Sequence, residues 1–311
     1  MNPQTQFHSK RHYLVGVLLA LTGTLFFSAK SIVIKKVYQY GVGVESLMVL
    51  RMAMAAPIYA LIFLLNATRG NAISAKDLLA ICAIGVIGYY MASYLDLSGL
   101  RYISASFERI ILYLFPSFVL IISVVFFNHK LKTSEVLAFV LSYLGIMVIY
   151  AQDFQAGGHE VTRGMLLVLG SALAFSLFVV LSGQYIAKAG SVRFTSISML
   201  GASVAVFLHY LAHGAETITA FDRQSYAWIL VLALLCTVLP SYLINMAVQR
   251  IGAPRVAILG TISPVFTIVM AYAFLHELST VMHIVGFALV IMGIAVISVP
   301  KPKPAPGKAV D

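Results

Sequence analysis

Charged side chains divide this chain into long apolar stretches. Ten windows free of Asp, Glu, Lys and Arg run over residues 12–29, 52–68, 78–95, 110–128, 136–152, 164–187, 194–215, 224–249, 256–276 and 278–300, each 17 to 26 residues long. A helix crosses a hydrocarbon layer about 30 Å thick with about 20 mostly apolar residues. The windows therefore predict ten transmembrane helices. They lack the short apolar–polar alternation of a membrane barrel, and only helices or closed barrels satisfy the backbone where water is absent. The expected fold class is all-α integral membrane.

The connections are short. Gly157-Gly158 and Asp222-Arg223 mark the turns in the two longest. Residues 301–311, rich in Pro and Lys, are expected to form a disordered basic tail. Lys10 and Arg11 precede the first window as they would in a signal peptide, but the apolar run leads through Lys30 without a small-residue cleavage site, so it reads as a retained helix. With both termini in the cytoplasm, Lys10, Arg11, Arg69, Lys76, Lys130, Lys132, Lys188, Arg193, Arg250 and the tail's Lys301, Lys303 and Lys308 fall on the cytoplasmic side, against Lys35, Lys36, Arg101, Arg163 and Arg223 on the other. That bias supports this orientation.

Composition removes the soluble alternatives. The chain has 311 residues, 60% hydrophobic and 10% charged, with a mean hydropathy of +0.94. A soluble domain carries about 25% charged residues to make its wetted surface. The net charge of +10 reads as a topology signal, so the lipid bilayer and a small-molecule substrate are the expected partners and nucleic acid is not. Cys82 and Cys236 fall inside apolar windows and read as small core residues.

The sequence repeats itself. A shift of 148 residues superposes Gly16 on Gly164, Phe27-Ser28 on Phe175-Ser176, Ser93-Tyr94-Leu95 on Ser241-Tyr242-Leu243, Pro116 on Pro264 and Gly145 on Gly293. One register holds across five windows, giving five-helix repeats at 1–151 and 152–300. An odd number of spans inserts the second repeat upside down, the architecture of many secondary transporters, with substrate bound between the repeats near the midplane.

The runs Ala105 to Pro116 and Ala253 to Pro264, followed by Phe127-Asn128-His129-Lys130-Leu131 and Leu275-His276-Glu277-Leu278, resemble the drug/metabolite transporter superfamily, specifically its EamA-type 5+5 repeat proteins. The resemblance implies a metabolite carrier and leaves the cargo open. In that family a Glu usually closes the fourth helix of each repeat. Glu277 fits, while His129 stands at the first-repeat position.

Five charged residues fall at membrane depth: Lys30, Arg51, Asp96, Glu108 and Arg109. All belong to the first repeat. Their equivalents Phe178, Met199, Ile244, Val256 and Ala257 are uncharged. Intramembrane charges mark a pathway or a buried pair. Lys30, Arg51 and Arg109 suit a substrate carboxylate or phosphate; the bland alternative is a network pinning the first four helices together. A carboxyl held away from water favours its neutral form, so Glu108 is a candidate for proton coupling, with Arg109 opposing. Tyr89, Tyr90, Tyr94 and Tyr113, with Tyr242 and Asn245 of the eighth window, are pocket candidates, and an interfacial aromatic belt is the rival reading for those near the surface. Pro116 and Pro264 each free one carbonyl, at Leu112 and Gly260, and are gating or kink candidates beside a fixed packing kink.

His209 and His213 have metal-ligand spacing, but two ligands make weak evidence, and no metal or cofactor is expected. Neither a zinc-protease motif, a phosphate loop nor a nucleophile elbow occurs. The expectation is a non-enzymatic inner-membrane carrier with an amino acid or related amphipathic carboxylate as lead cargo, exported by analogy with the family. A carrier of a nucleotide-like or other anionic cofactor is the first alternative, and an integral membrane transferase is one of another class. Oligomeric state stays open.

Overall fold

The computed structural model describes residues 3–66, 73–127, 133–213, 221–251, 256, 259–260, 262–277 and 280–298. The basic tail expected at 301–311 lies outside them. Every regular element among the described residues is helical. In chain order these are α1 (Pro3–Gln39), α2 (Val44–Asn66), α3 (Ala75–Gly99), α4 (Ala105–Leu112), α5 (Phe115–Phe127), α6 (Thr133–Ala189) and α7 (Ser191–His213). Then follow α8, built from Arg223–Ala233, Leu234–Val238 and Leu239–Ile251 in one run, α9 (Ser263–Leu275) and α10 (Val281–Ser298).

Polar residues start helices and glycines turn the chain. Ser74 opens α3 by accepting the Asp77 amide at 3.1 Å, and Ser104 opens α4 by accepting the Phe107 amide at 3.1 Å. Each satisfies an amide the helix cannot. Gly41 and Gly190 take φ of 77° just beyond α1 and α6, a conformation that suits glycine. The fifth and sixth windows share α6, whose helical geometry fails at Gly158 (φ 57°, ψ −135°), within the Gly157-Gly158 turn expected from the sequence.

The central prolines do not bend continuous helices. The fourth window is two pieces, α4 and α5, with Pro116 the second residue of α5; Pro264 is likewise the second residue of α9. Proline is tolerated in a first turn because its missing amide has no helical partner there. By contrast, Pro57 lies inside α2.

Eight helices among the described residues are long and apolar enough to cross a membrane, and Ser263–Leu275 and Val281–Gly293 are shorter apolar helices. Large apolar side chains face outward, among them Leu18 (55% exposed), Leu64 (67%) and Leu211 (76%). An exterior of this kind needs lipid.

The 148-residue shift has a spatial counterpart. Ser28 Oγ lies 2.6 Å from Ser263 Oγ, and their equivalents meet as well, Ser176 Oγ donating to the Phe115 carbonyl at 2.9 Å. Gly16 packs on Ile251, and Gly164 packs on Ile103. Gly145 packs on Gly286, and Gly293 packs on Ala138. In every case residue i touches residue j of the other half, and the equivalent of i touches the equivalent of j. That reciprocity is what a two-fold relation between halves produces, and glycine allows the backbones to approach so closely.

Candidate functional site

A cavity of about 420 Å³ lies on this relation. Both halves line it with equivalent residues: Thr24 and Ala172, Phe27 and Phe175, Ser93 and Ser241. The chemistry of its walls is not symmetric. Lys30, Arg51, Asp96 and Arg109 stand on the first-half wall, and Phe178, Met199 and Ile244, the equivalents of the first three, stand on the other. One frame therefore presents a charged face opposite an apolar one.

Two helical irregularities shape the cavity. Residues Val86–Met91 of α3 and Leu234–Val238 of α8 form single π-helical turns at positions that the shift superposes. Thr237 Oγ1 donates five residues back to the Leu232 carbonyl at 2.8 Å, occupying an acceptor in the widened turn. Gly88 and Tyr89 of the first turn and Cys236 and Thr237 of the second all face the cavity. Such turns are rare and concentrate at functional sites.

Phe178 packs over Gly88, where a Cβ would fall on its ring. From there an aromatic series lines the apolar side. Tyr89 meets Phe178 edge-on at 4.8 Å, Phe178 stacks on Phe175 at 5.7 Å, and Phe175 meets Phe115 edge-on at 5.6 Å.

The charged wall is a network anchored on α1. Lys30 Nζ donates to Asp96 Oδ2 at 2.6 Å. Ser31 donates through Oγ to Glu108 Oε2 at 2.7 Å and accepts from Arg109 Nη2 at 2.8 Å; the same Nη2 also donates to the Phe27 carbonyl at 3.1 Å. Arg109 Nε lies 3.9 Å from Glu108 Oε2. All five intramembrane charges thus gather between α1, α2, α3 and α4. Arg51 differs from the others: it is 2% exposed, lines the cavity, and its Nε and Nη2 meet no hydrogen-bond acceptor.

The aromatic candidates separate. Tyr89 and Tyr113 line the cavity. Tyr90, Tyr94 and Tyr242 are not among its lining residues. Tyr90 hydrogen-bonds His209 Nδ1 at 2.7 Å, with the Tyr94 ring 5.1 Å from the same imidazole. Tyr242 lies 3.1 Å from Ser196 Oγ and against Tyr59. The side chains of Asn245 and His213 lie outside the described residues. Among the described residues no group of three or more His, Cys, Asp or Glu could hold a metal ion.

Glu277 joins the halves at one end of the cavity-lining helices. Its carboxylate accepts the Ala105 amide at 3.1 Å (Oε2) and 3.3 Å (Oε1), and Lys35 Nζ lies 3.8 Å from Oε1. It therefore occupies a free amide at the start of α4, the helix that carries Glu108 and Arg109, where a helix favours negative charge. The preceding His276 has φ 56°, turning the chain out of α9. The His129 that stands at the equivalent position in the first half lies outside the described residues.

A lipid-facing helical exterior and a central cavity shared by two equivalent halves define a multi-pass membrane protein built from tandem repeats. The profile of the EamA-like transporter family matches residues 14–151 and 162–299, and the chain belongs to that family. It is 29% identical over 285 residues to the uncharacterized transporter YcbK of Bacillus subtilis (strain 168), covering 89% of this chain and 90% of that one. An uncharacterized transporter of Archaeoglobus fulgidus is 24% identical over 248 residues, covering 80% and 86%. A solved structure described as "Crystal structure of protein" shares the fold with a TM-score of 0.64 at 16% identity, over 91% of this chain and 96% of that chain. The chain is thus a membrane transporter by family.

Proposed function

We propose that this protein is a secondary transporter that moves a small amphipathic carboxylate, with an amino acid or related compound as lead cargo, across the cytoplasmic (inner) membrane. In this reading the five-span units 1–151 and 152–300 are inverted relative to one another, both termini are cytoplasmic, and access to the cavity alternates by rocking of the halves. The direction is export.

One observation carries the proposal: Arg51 brings a guanidinium whose Nε and Nη2 have no acceptor to a cavity otherwise lined largely by aromatic and aliphatic side chains. A buried charge without an acceptor is unfavourable, and a substrate carboxylate would supply two oxygens in the planar geometry that arginine matches. The apolar wall would receive the rest of the molecule.

Counterflow into proteoliposomes containing the purified protein tests this. Protein amino acids, aromatic and branched monocarboxylates, their amine analogues and nucleotides would be compared as radiolabelled solutes. Exchange of apolar carboxylates, with the amines inactive, is the expected result. Exchange confined to amines or to nucleotides would overturn it.

A further inference from the structure

Two carboxyl groups meet within the charged wall. Asp96 comes from α3 and Glu108 from α4, and consecutive residues of α1 hold them, Lys30 through Asp96 Oδ2 and Ser31 through Glu108 Oε2. The remaining oxygens, Asp96 Oδ1 and Glu108 Oε1, are sealed from solvent and receive no donor. The two side chains lie within hydrogen-bonding reach of each other.

Ionised carboxylates only accept hydrogen bonds. Two of them in contact and so little exposed repel strongly and leave Asp96 Oδ1 and Glu108 Oε1 unsatisfied. A single proton between them removes the repulsion and gives each oxygen a partner, as in other buried carboxyl pairs. Lys30, Lys35 and Tyr38 on α1, Arg51 on α2 and Arg109 on α4 face the pair. The four cations favour an ionised carboxylate, the Tyr38 hydroxyl donates to the Leu97 carbonyl, and the Lys30 and Ser31 donors already hold the outer oxygens. They do nothing for the contact between the inner two.

We propose that Asp96 and Glu108 share one proton, and that this pair is a proton-binding site through which transport is coupled to a proton gradient. The coupling half of this inference rests on the carrier reading above; the shared proton does not.

Charge conservation gives the coupling its sign. With the pair fully ionised and the cavity empty, Lys30, Arg51 and Arg109 against Asp96 and Glu108 leave one net positive charge, Lys35 being balanced by Glu277. One proton on the pair raises this to two, and a monoanionic carboxylate on Arg51 returns it to one. The empty ionised state and the loaded protonated state therefore carry the same buried charge into the low-dielectric conformational change. Proton and anion favour each other's binding, reciprocally, and travel in the same direction. An outward substrate gradient then carries protons out with it.

Infrared spectroscopy of the purified protein in lipid tests the shared proton without a substrate. The expected result at neutral pH is the C=O stretch of one protonated carboxyl, shifted in heavy water, lost in Glu108→Gln and also lost in Asp96→Asn, where the lone Glu108 faces only cations. Absence of the band in the wild type, or its survival in Asp96→Asn, would overturn the pair. If either variant fails to fold, titration of the wild-type band decides: it must vanish in one single-proton step at alkaline pH, and a band that persists or never forms counts against the pair.

Coupling is read in proteoliposomes with any carboxylate of the counterflow panel that exchanges. Acidifying the side from which it enters should drive accumulation above equilibrium. Exchange that ignores the pH gradient would overturn the coupling and leave the cargo reading standing. Failure of exchange across the panel would remove the cargo reading while the infrared band still decides the proton.

Discussion

The hydroxyl of Tyr113 donates to the carbonyl of Gly260, across the two halves of the protein. Gly260 lies four residues before Pro264, which has no amide to offer that carbonyl. A tyrosine at the break of one half thus completes the backbone at the break of the other. Tyr113→Phe should lower stability by about 1–3 kcal/mol, the cost of an unsatisfied buried acceptor. Adding Pro264→Ala restores an amide at that position and should recover part of the loss. Thermal unfolding of the two single variants and the double variant in detergent checks the cycle; additive losses would show that the two residues act independently.

Glu277 makes the second link between halves, through the Ala105 amide. Glu277→Ala should cost about 0.5–2 kcal/mol, as for other lost helix N-terminal acceptors. Glu277→Gln keeps an acceptor oxygen and should cost less. Because α4 carries Glu108 and Arg109, the alanine variant should also loosen the charged wall, read as faster hydrogen exchange at residues 105–109 than in the wild type. Equal melting temperatures for all three proteins would show that the link contributes nothing to stability.

Much of this site could be read from charges and from the repeat. Charges are rare in an apolar chain, so Lys30, Arg51, Asp96, Glu108 and Arg109 announced themselves, and the structure brings all five together. The apolar wall did not announce itself, because Phe175 and Phe178 look like any lipid-facing aromatic until the fold turns them inward. Tyr90 and Tyr94 show a second limit. They fall on the same apolar window as Tyr89, but Tyr90 is one residue on, about 100° around the helix, and Tyr94 shares its face, so both meet His209 while Tyr89 faces the cavity from the π turn at Val86–Met91. No residue pattern in the sequence signals that turn. Likewise, the family resemblance pointed to Glu277 without indicating that its partner would be the backbone of Ala105.

The apolar wall has its own test at Gly88. Its Cβ position coincides with the Phe178 ring, so Gly88→Ala must push that ring toward the cavity it lines. Overpacking costs about 1–3 kcal/mol; carried wholly into binding, that is roughly 5- to 150-fold in affinity. The loss should fall on carboxylates with a bulky ring and spare those with a short aliphatic chain. Competition for counterflow by aromatic and small carboxylates measures the ratio; a uniform loss would mean that Phe178 supports the fold and does not touch the cargo.

Arg51 separates charge from geometry. If its fork receives the substrate carboxylate, Arg51→Lys keeps the positive charge but loses the bidentate match, and Arg51→Gln loses both. A charge-assisted hydrogen bond contributes about 1.5–3 kcal/mol, so half-saturation in counterflow should rise by roughly 10- to 150-fold in Arg51→Gln and by an intermediate factor in Arg51→Lys. Stability should move the other way. Arg51 is buried with Nε and Nη2 lacking acceptors, and replacing a buried charge whose hydrogen bonds are unmade by a neutral side chain relieves an unfavourable burial, with Lys30 still holding Asp96. Arg51→Gln should therefore melt at or above the wild-type temperature while binding its substrate more weakly. A residue that merely pins helices together would lose stability on substitution and leave half-saturation unchanged, so the two measurements on one variant separate the roles.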